Sequence, residues 1–243
     1  MGRMMRPEFL VDLAGTVHAV IAEKFVDRVS PFGNPAIYFW AQDVHTGQVQ
    51  ERNQGVVTDR VRARLAELAS IYPGKVFSVD SRTRIGEFRG LTLKPNRSEA
   101  ALALDAAHSG EVSRERAAEI GLALSHRSGR PVYLTLSEDG VLVCAAAGVP
   151  WGRIAEASPA PRNTCIHVAG VAASGPIDPV GAGDSACAGI VSALCAGATP
   201  AEAALVGNLV ASITIQQLGT TGAAAPSEVL ARYRELTPSS NGQ

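Results

Sequence analysis

The sequence has little of several features that mark specialised classes of protein. Its net charge is −1 at pH 7 and 5% of its residues are aromatic, so it offers no basic stripe that could release counterions from nucleic acid. The apolar run from Phe9 to Ala22 is too short to span a bilayer and is interrupted by Asp12 and His18. These shortages argue against nucleic acid and a membrane as partners.

Cysteine is also scarce, and its spacing gives no sign of a metal site or a redox motif. No two cysteines form a C-x-x-C pair, and none has metal-like spacing with a histidine. We therefore expect reduced thiols in the core of a cytoplasmic protein. The cysteines are Cys144, Cys165, Cys187 and Cys195.

Helical and strand-like patterns alternate from residue 56 to residue 236. This alternation predicts an α/β fold with a parallel sheet, and 243 residues suffice for a sizeable core. Predicted helices begin near Thr58 and Arg97 and cover Glu115–Ser125, Ser185–Ala196, Pro200–Gln217 and Ser227–Leu236. Predicted strands cover Val76–Asp80, Pro131–Leu136, Val141–Cys144 and Cys165–Val168.

The most informative stretch runs from Gly175 to Asn208 and contains the sequence DPVGAGDS. Gly181 and Gly183 permit unusual backbone angles and close approach of another group. They lead into a predicted helix, whose N-terminus would present unpaired N–H groups and a positive dipole end, as suits a phosphate. Asp184 would lie beside that anion site, where its carboxylate could take a proton from a hydroxyl.

Two other interpretations of this stretch were weighed. The turn could simply join a strand to a helix, with Asp184 as the N-cap. Residues 181–186 also fit the dinucleotide fingerprint G-x-G-x-x-[GA]. That fingerprint should follow an apolar strand directly, and Pro179 could not donate a hydrogen bond within a central strand.

The segment from Asp178 to Ser185 resembles the C-terminal signature of the ribokinase-like (PfkB) carbohydrate kinases. Three further segments resemble that family in the same order along the chain: Asp80-Ser81-Arg82, Asn96-x-x-Glu99, and Thr135 to Val141. The resemblance extends from Gly55 to the C-terminus. Ser137 stands where most of the family has glycine, and a heptose-kinase-like branch is similar in carrying serine there.

The resemblance implies a ribokinase-like three-layer fold with a mostly parallel central sheet flanked by helices. It also implies ATP-dependent transfer of the γ-phosphate to a hydroxyl of a sugar or sugar phosphate. Asp184 would be the general base, and the N–H groups of Gly181, Ala182 and Gly183 would stabilise the charge on the transferred phosphoryl group.

The remaining site residues are also implied by the resemblance. Asn96 and Glu99 would position magnesium-bound phosphate through water, although the same pair fits a capping box. The ligands of a monovalent cation such as K⁺ would be Asp178, Val180, Thr214, Gln217 and Gly219. Residues predicted to lie near ATP are Asn96, Thr135, Ser137, Gly140 and Asn208; on its residue type alone, Asn208 would be a solvated helix position.

The chain departs from the family pattern before residue 55. Full-length members carry a Gly-Gly dipeptide, an early sugar-binding aspartate and a lid sheet, and no Gly-Gly occurs in this sequence. We expect an irregular segment over 1–54 in which the sugar-binding and lid part is shortened or absent, a nucleotide-binding and catalytic domain over 55–236, and a disordered tail over 237–243. A homodimer is compatible with the sequence. Two alternatives stay open: an ATP-binding remnant without activity, and a lid-less kinase of the pyridoxal or hydroxymethylpyrimidine type.

Overall fold

A computed structural model describes residues 57–105, 110–153, 156–220 and 222–236. The predicted segments 1–54 and 237–243 lie outside the described residues. The helices are α1 (Asp59–Ile71), α2 (Arg97–Leu104), α3 (Arg114–Ser128), α4 (Ala182–Cys195), α5 (Pro200–Thr214) and α6 (Pro226–Leu236). The strands are β1 (Ser78–Val79), β2 (Thr92–Leu93), β3 (Val132–Thr135), β4 (Val141–Ala145), β5 (Pro150–Trp151), β6 (Ser158–Pro159) and β7 (Thr164–Val168).

Five of the strands form one mixed sheet in the order β1-β2-β3-β4-β7. Strands β1, β2 and β3 run parallel, as the alternation of helices and strands predicts. The tight turn after β3 returns the chain as a hairpin, so β3, β4 and β7 pair antiparallel. Strands β5 and β6 form a separate antiparallel ribbon.

Helices cover both faces of the sheet. Successive strand residues point to opposite faces, and the residues on both faces are apolar. On one face, Phe77, Leu93 and Leu134 pack in a buried cluster with residues of α1, α2 and α3. On the other face, Tyr133 and Val143 pack with residues of α4 and α5. Burial on both sides explains why β3 and β4 are apolar almost without interruption. The layered α/β prediction is confirmed.

The expectation of reduced thiols is wrong for two of the four cysteines. Cys144 on β4 and Cys165 on β7 are direct partners in the antiparallel register, and they form a disulfide with their Cα atoms 4.3 Å apart. A cross-strand pairing of this kind depends on strand register, which cysteine spacing does not encode. Cys187 and Cys195 are free.

No helix in the described ranges is both long and apolar enough to cross a bilayer.

The turn after β3 is held by direct contact between two backbone segments. Gly140 has a positive φ of 96°, and a Cβ atom placed on it would lie 2.2 Å from the carbonyl oxygen of Val168. Gly170 packs against the same turn, since a Cβ there would lie 2.1 Å from the carbonyl oxygen of Glu138. Side chains are therefore excluded at both positions, and the turn is fixed against the segment that follows β7.

We expect Gly140→Ala to lower the free energy of unfolding by about 3–5 kcal/mol, because it combines left-handed strain with a steric clash. Gly148→Ala is the matched control, since Gly148 has a φ of 83° but nothing within 4 Å of an added Cβ. The control should cost only about 1–2 kcal/mol. Urea unfolding measures both, and equal losses would contradict the close contact.

Candidate active site

Two charged residues lie side by side where β1 and β2 end. The parallel register pairs Ser78 with Thr92 and Val79 with Leu93, so the next residues, Asp80 and Lys94, are neighbours at the carboxyl edge. The Lys94 Nζ atom lies 2.8 Å from Asp80 Oδ2. Lys94 is 4% exposed. Burial alone would lower the pKa of the Lys94 ammonium, but the Asp80 carboxylate outweighs burial and raises that pKa.

The first turn of α4 lies over this pair. Gly181 is the N-cap with a φ of 81°, and no side chain caps the helix. The Ala182 N–H, which was expected to contact the transferred phosphoryl group, donates instead to the Pro179 carbonyl at 3.1 Å. The next two N–H groups, of Gly183 and Asp184, have no backbone acceptor among the residues that the structure describes. The turn therefore presents open N–H donors and a positive helix end to an anion.

Asp184 stands in this first turn with an exposed side chain. Partial burial and the carboxylate of Asp80 raise the pKa of Asp184, while the charges of Lys94 and Arg82 act in the opposite direction. The carboxyl group thus has two nearby cations and one nearby anion. A carboxylate with a raised pKa, open to solvent beside an anion site, is suited to accept a proton.

Asn96 and Glu99 form the capping box of α2. Asn96 Oδ1 accepts a hydrogen bond from the Glu99 N–H at 2.9 Å, and Glu99 Oε2 accepts one from the Asn96 N–H at 2.8 Å. Burial raises the pKa of Glu99, with the Asp80 carboxylate contributing and Lys94 and Arg82 opposing. The carboxyl groups of Glu99 and Asp184 therefore interact with the same three charged residues, Asp80, Lys94 and Arg82. The Asn96–Glu99 pair and the α4 turn thus lie in one region of the sheet edge.

The residues predicted to lie near ATP are connected through the backbone. Thr135 and Asn96 form an isolated parallel β-bridge, and the Thr135 N–H donates to the Pro95 carbonyl at 2.9 Å. Ser137 has a φ of 57°, a left-handed conformation that favours the glycine found there in most of the family. Asn208 donates from Nδ2 to the carbonyls of Val168 and Ala169 at 3.1 and 2.9 Å. Asn208 is buried, so the interpretation as a solvated position is wrong.

The predicted monovalent-cation residues lie on two adjacent segments. Asp178 accepts hydrogen bonds from the N–H groups of Val180, at 3.0 Å, and Gly219, at 3.1 Å. The Asp178 N–H in turn donates to the Ile215 carbonyl at 2.7 Å. Thr214 and Gln217 flank that contact, and the Gln217 N–H donates to the Thr214 carbonyl at 3.0 Å. Asp178 thus ties the segment before α4 to the loop after α5.

The sequence analysis did not assign Lys94 to the site. The available signal was a lysine directly after an apolar segment and before a proline, because residues that follow a parallel strand lie at the edge of the sheet where ligands bind. Within the described ranges, no cluster of three or more histidine, cysteine, aspartate or glutamate side chains could hold a metal ion.

Comparison with known families identifies the family of this chain. The family described as "pfkB family carbohydrate kinase" matches residues 91–227, which is more than half of the chain. The chain belongs to this family. The prediction made from DPVGAGDS and its companion segments is confirmed at the level of the family.

Curated relatives of this pfkB family chain include two proteins named "Bifunctional protein HldE". The one from Citrifermentans bemidjiense is 34% identical over 147 residues, covering 60% of this chain and 26% of the relative. The one from Pelobacter propionicus is 30% identical over 185 residues, covering 75% of this chain and 34% of the relative. The chain thus spans about a quarter to a third of the length of these relatives.

Solved structures confirm the ribokinase-like fold. Arabidopsis thaliana ribokinase, complexed with ribose and ATP, superposes with a TM-score of 0.52 and 15% identity over 70% of this chain and 52% of that one. Escherichia coli phosphofructokinase-2, in complex with potassium, gives a TM-score of 0.52 and 19% identity over 72% of this chain and 53% of that one. At these identities the likeness shows the fold alone.

The capping box of α2 can be compared with an equivalent box on α5, where Thr199 and Glu202 make the same pair of hydrogen bonds away from the sheet edge. Asn96→Ala and Thr199→Ala should each lower the free energy of unfolding by about 1 kcal/mol. Only Asn96→Ala should also weaken magnesium-dependent nucleotide binding, measured by calorimetry with and without Mg²⁺. Equal binding by the two variants would leave Asn96 with a structural role only.

Proposed function

We propose that this chain transfers the γ-phosphate of ATP to a hydroxyl group of a sugar or sugar phosphate. The observation that carries the proposal is the first turn of α4, where the exposed Asp184 carboxylate lies beside open N–H groups over a buried cation. This arrangement places a proton acceptor next to an anion site, which are the two elements that phosphoryl transfer to an alcohol requires.

The proposed reaction is a single in-line displacement. As the acceptor oxygen approaches the γ-phosphorus, its proton passes to Asp184 and a new oxygen–phosphorus bond forms. The bond between the γ-phosphorus and the β–γ bridging oxygen breaks, and ADP leaves with that oxygen. The N–H groups of Gly183 and Asp184, with the Gly181 turn that orients them, stabilise the negative charge on the phosphoryl group during transfer. Ala182 contributes the start of the helix.

The nucleotide would lie along the edge between the α4 turn and the turn after β3. Thr135 and Ser137 would contact ATP through the backbone of that turn, where Ser137 is left-handed. Gly140 is buried against the Val168 carbonyl, so its proposed part in ATP binding is to fix the shape of the turn. Asn208 supports this surface by holding the carbonyls of Val168 and Ala169. Its proposed place beside the adenine ring is consistent with its position on the middle of α5.

Glu99 and Asn96 are the residues that would hold Mg²⁺, through water, near the phosphates. Their capping hydrogen bonds use Oε2 of Glu99, which leaves Oε1 for a metal-bound water. When bound, the ion neutralises charge on the β- and γ-phosphate oxygens. A monovalent cation such as K⁺ would be held near Asp178 and Val180, with carbonyls of Thr214, Gln217 and Gly219 as further ligands.

The acceptor is the least constrained part of the proposal. A sugar phosphate is favoured by the sequence similarity at Ser137 to a heptose-kinase-like branch. A nucleotide-binding protein without transfer activity is the second candidate, because the sequence lacks the Gly-Gly dipeptide of the acceptor side. ADP release with a panel of sugars, sugar phosphates and vitamin precursors, confirmed by mass spectrometry of the product, separates these functions. ATP binding without a phosphorylated product would favour the second candidate.

Replacing Asp184 with asparagine should lower kcat for phosphoryl transfer by about two to four orders of magnitude, because the general base is lost while the turn stays intact. The affinity for ATP, measured by isothermal titration calorimetry, should remain nearly unchanged. Glu119→Gln serves as a control for removal of an exposed carboxylate, since Glu119 pairs with Arg116 on α3 and has no place in the proposed site. Unchanged turnover in the Asp184 variant would remove Asp184 from the proposed role.

The pH dependence of kcat should show an acid limb above the ordinary aspartate range. The base must be ionised to accept a proton, and partial burial together with the Asp80 carboxylate raises the pKa of Asp184. Activity should therefore be full at neutral pH and fall as the pH drops through that raised pKa. Steady-state rates at saturating ATP test this, and an acid limb below the ordinary aspartate pKa of about 3.9 would contradict it.

A further inference from the structure

A buried cation lies beneath the proposed phosphate-binding turn, and no step of the reaction described above uses it. The Lys94 side chain is 4% exposed, and its ammonium is paired with Asp80 at 2.8 Å. A Cβ atom added to Gly183 would lie 3.5 Å from Lys94 Nζ, so the ammonium is in contact distance of the turn itself. The free thiol of Cys187, one turn further along α4, also lies within the electrostatic reach of Lys94.

Stability alone is a weak reason for this arrangement. A buried ion pair loses the hydration of both partners, and replacing such a pair with neutral groups is often harmless to stability or even favourable. The position of the Asp80–Lys94 pair under the open N–H groups of Gly183 and Asp184 suggests a role in the reaction.

We propose that Lys94 is a positioning residue for phosphoryl transfer, whose ammonium, fixed by Asp80 against Gly183, supplies a permanent positive charge beneath the turn that receives the transferred phosphate. This inference rests on the proposed function and extends it. Asp80 sets where the charge lies, because it anchors Nζ from the neighbouring strand. Gly183 has no side chain, so the ammonium stays close to the backbone that contacts the phosphate.

The charge acts where negative charge is transferred. Because Lys94 is buried, its fixed charge is worth more than the same charge in solvent, and it needs no rearrangement during the reaction. Its effect should be larger on the transition state than on bound ATP, whose other phosphates are held elsewhere along the edge. Loss of the charge should therefore lower kcat with little change in KM for ATP.

The decisive variant is the double substitution Lys94→Met with Asp80→Asn, which removes both charges and leaves no unpaired buried ion. It should unfold at nearly the same urea concentration as the wild type while kcat falls by about 10- to 100-fold. Lys94→Met alone should lose stability as well, because Asp80 is left without its partner. Arg62→Met is the matched control. Arg62 lies on α1, far from the turn, and is a buried cation whose guanidinium is paired with Glu87 at 2.7 Å. The Arg62 variant should lose stability and keep its kcat.

A second measurement tests the inference without an acceptor. Binding of MgADP is compared with binding of MgADP plus aluminium fluoride, which mimics the phosphoryl group in transfer. The wild type should gain more affinity from aluminium fluoride than the double variant does, by about tenfold, while both bind MgADP alone equally. An equal gain, or a wild-type kcat in the double variant, overturns the role of Lys94. A wild type that transfers phosphate to no acceptor on the panel overturns the proposed function instead, and the fluoride comparison still decides the inference.

Discussion

The ion pair between Asp80 and Lys94 depends on a register that the sheet imposes. Parallel pairing of two short strands brings residues from separate segments to the same level at their carboxyl edge. Helix α4 then begins above that edge, so its first turn, with the open N–H groups and Asp184, meets Asp80 and Lys94 from distant parts of the sequence. The chemistry proposed for this chain follows from that convergence.

The capping box of α2 allows the same two residues to serve the helix and the proposed site. Asn96 and Glu99 close the helix N-terminus through a reciprocal pair of hydrogen bonds. The same geometry holds a carboxylate at the sheet edge, within the influence of Asp80, Lys94 and Arg82. The structural interpretation and the metal-binding interpretation of this motif are therefore compatible, because the cap uses only one carboxylate oxygen.

Local signals in the sequence were sufficient to predict most of the helices. Caps and apolar periodicity placed α1, α2, α5 and α6 close to their observed bounds, while α3 begins at Arg114 because Ser113 caps it. The strand predicted over Val76–Asp80 is reduced to two residues, because its parallel pairing reaches only Ser78 and Val79. Strand length depends on the partner strand, which a local pattern does not contain.

The charged part of the site and the disulfide could not be predicted for a related reason. Lys94 and Asp80 each look like an ordinary polar residue at the end of a strand, and only the register shows that they meet and are covered by α4. Cys144 and Cys165 likewise become partners only when β4 and β7 pair. By contrast, Gly181 and Asp184 were found from the sequence because turn chemistry and a helix start are local properties.

The disulfide has a mechanical consequence for the nucleotide side of the site. With Cys144 and Cys165 joined, β4 and β7 cannot slide past one another, so the backbone after β7 stays in register with the turn that precedes β4. That backbone also carries the carbonyls held by Asn208, which couples α5 to the same rigid unit. A hinge motion at the proposed nucleotide site would therefore have to act outside this disulfide-linked block.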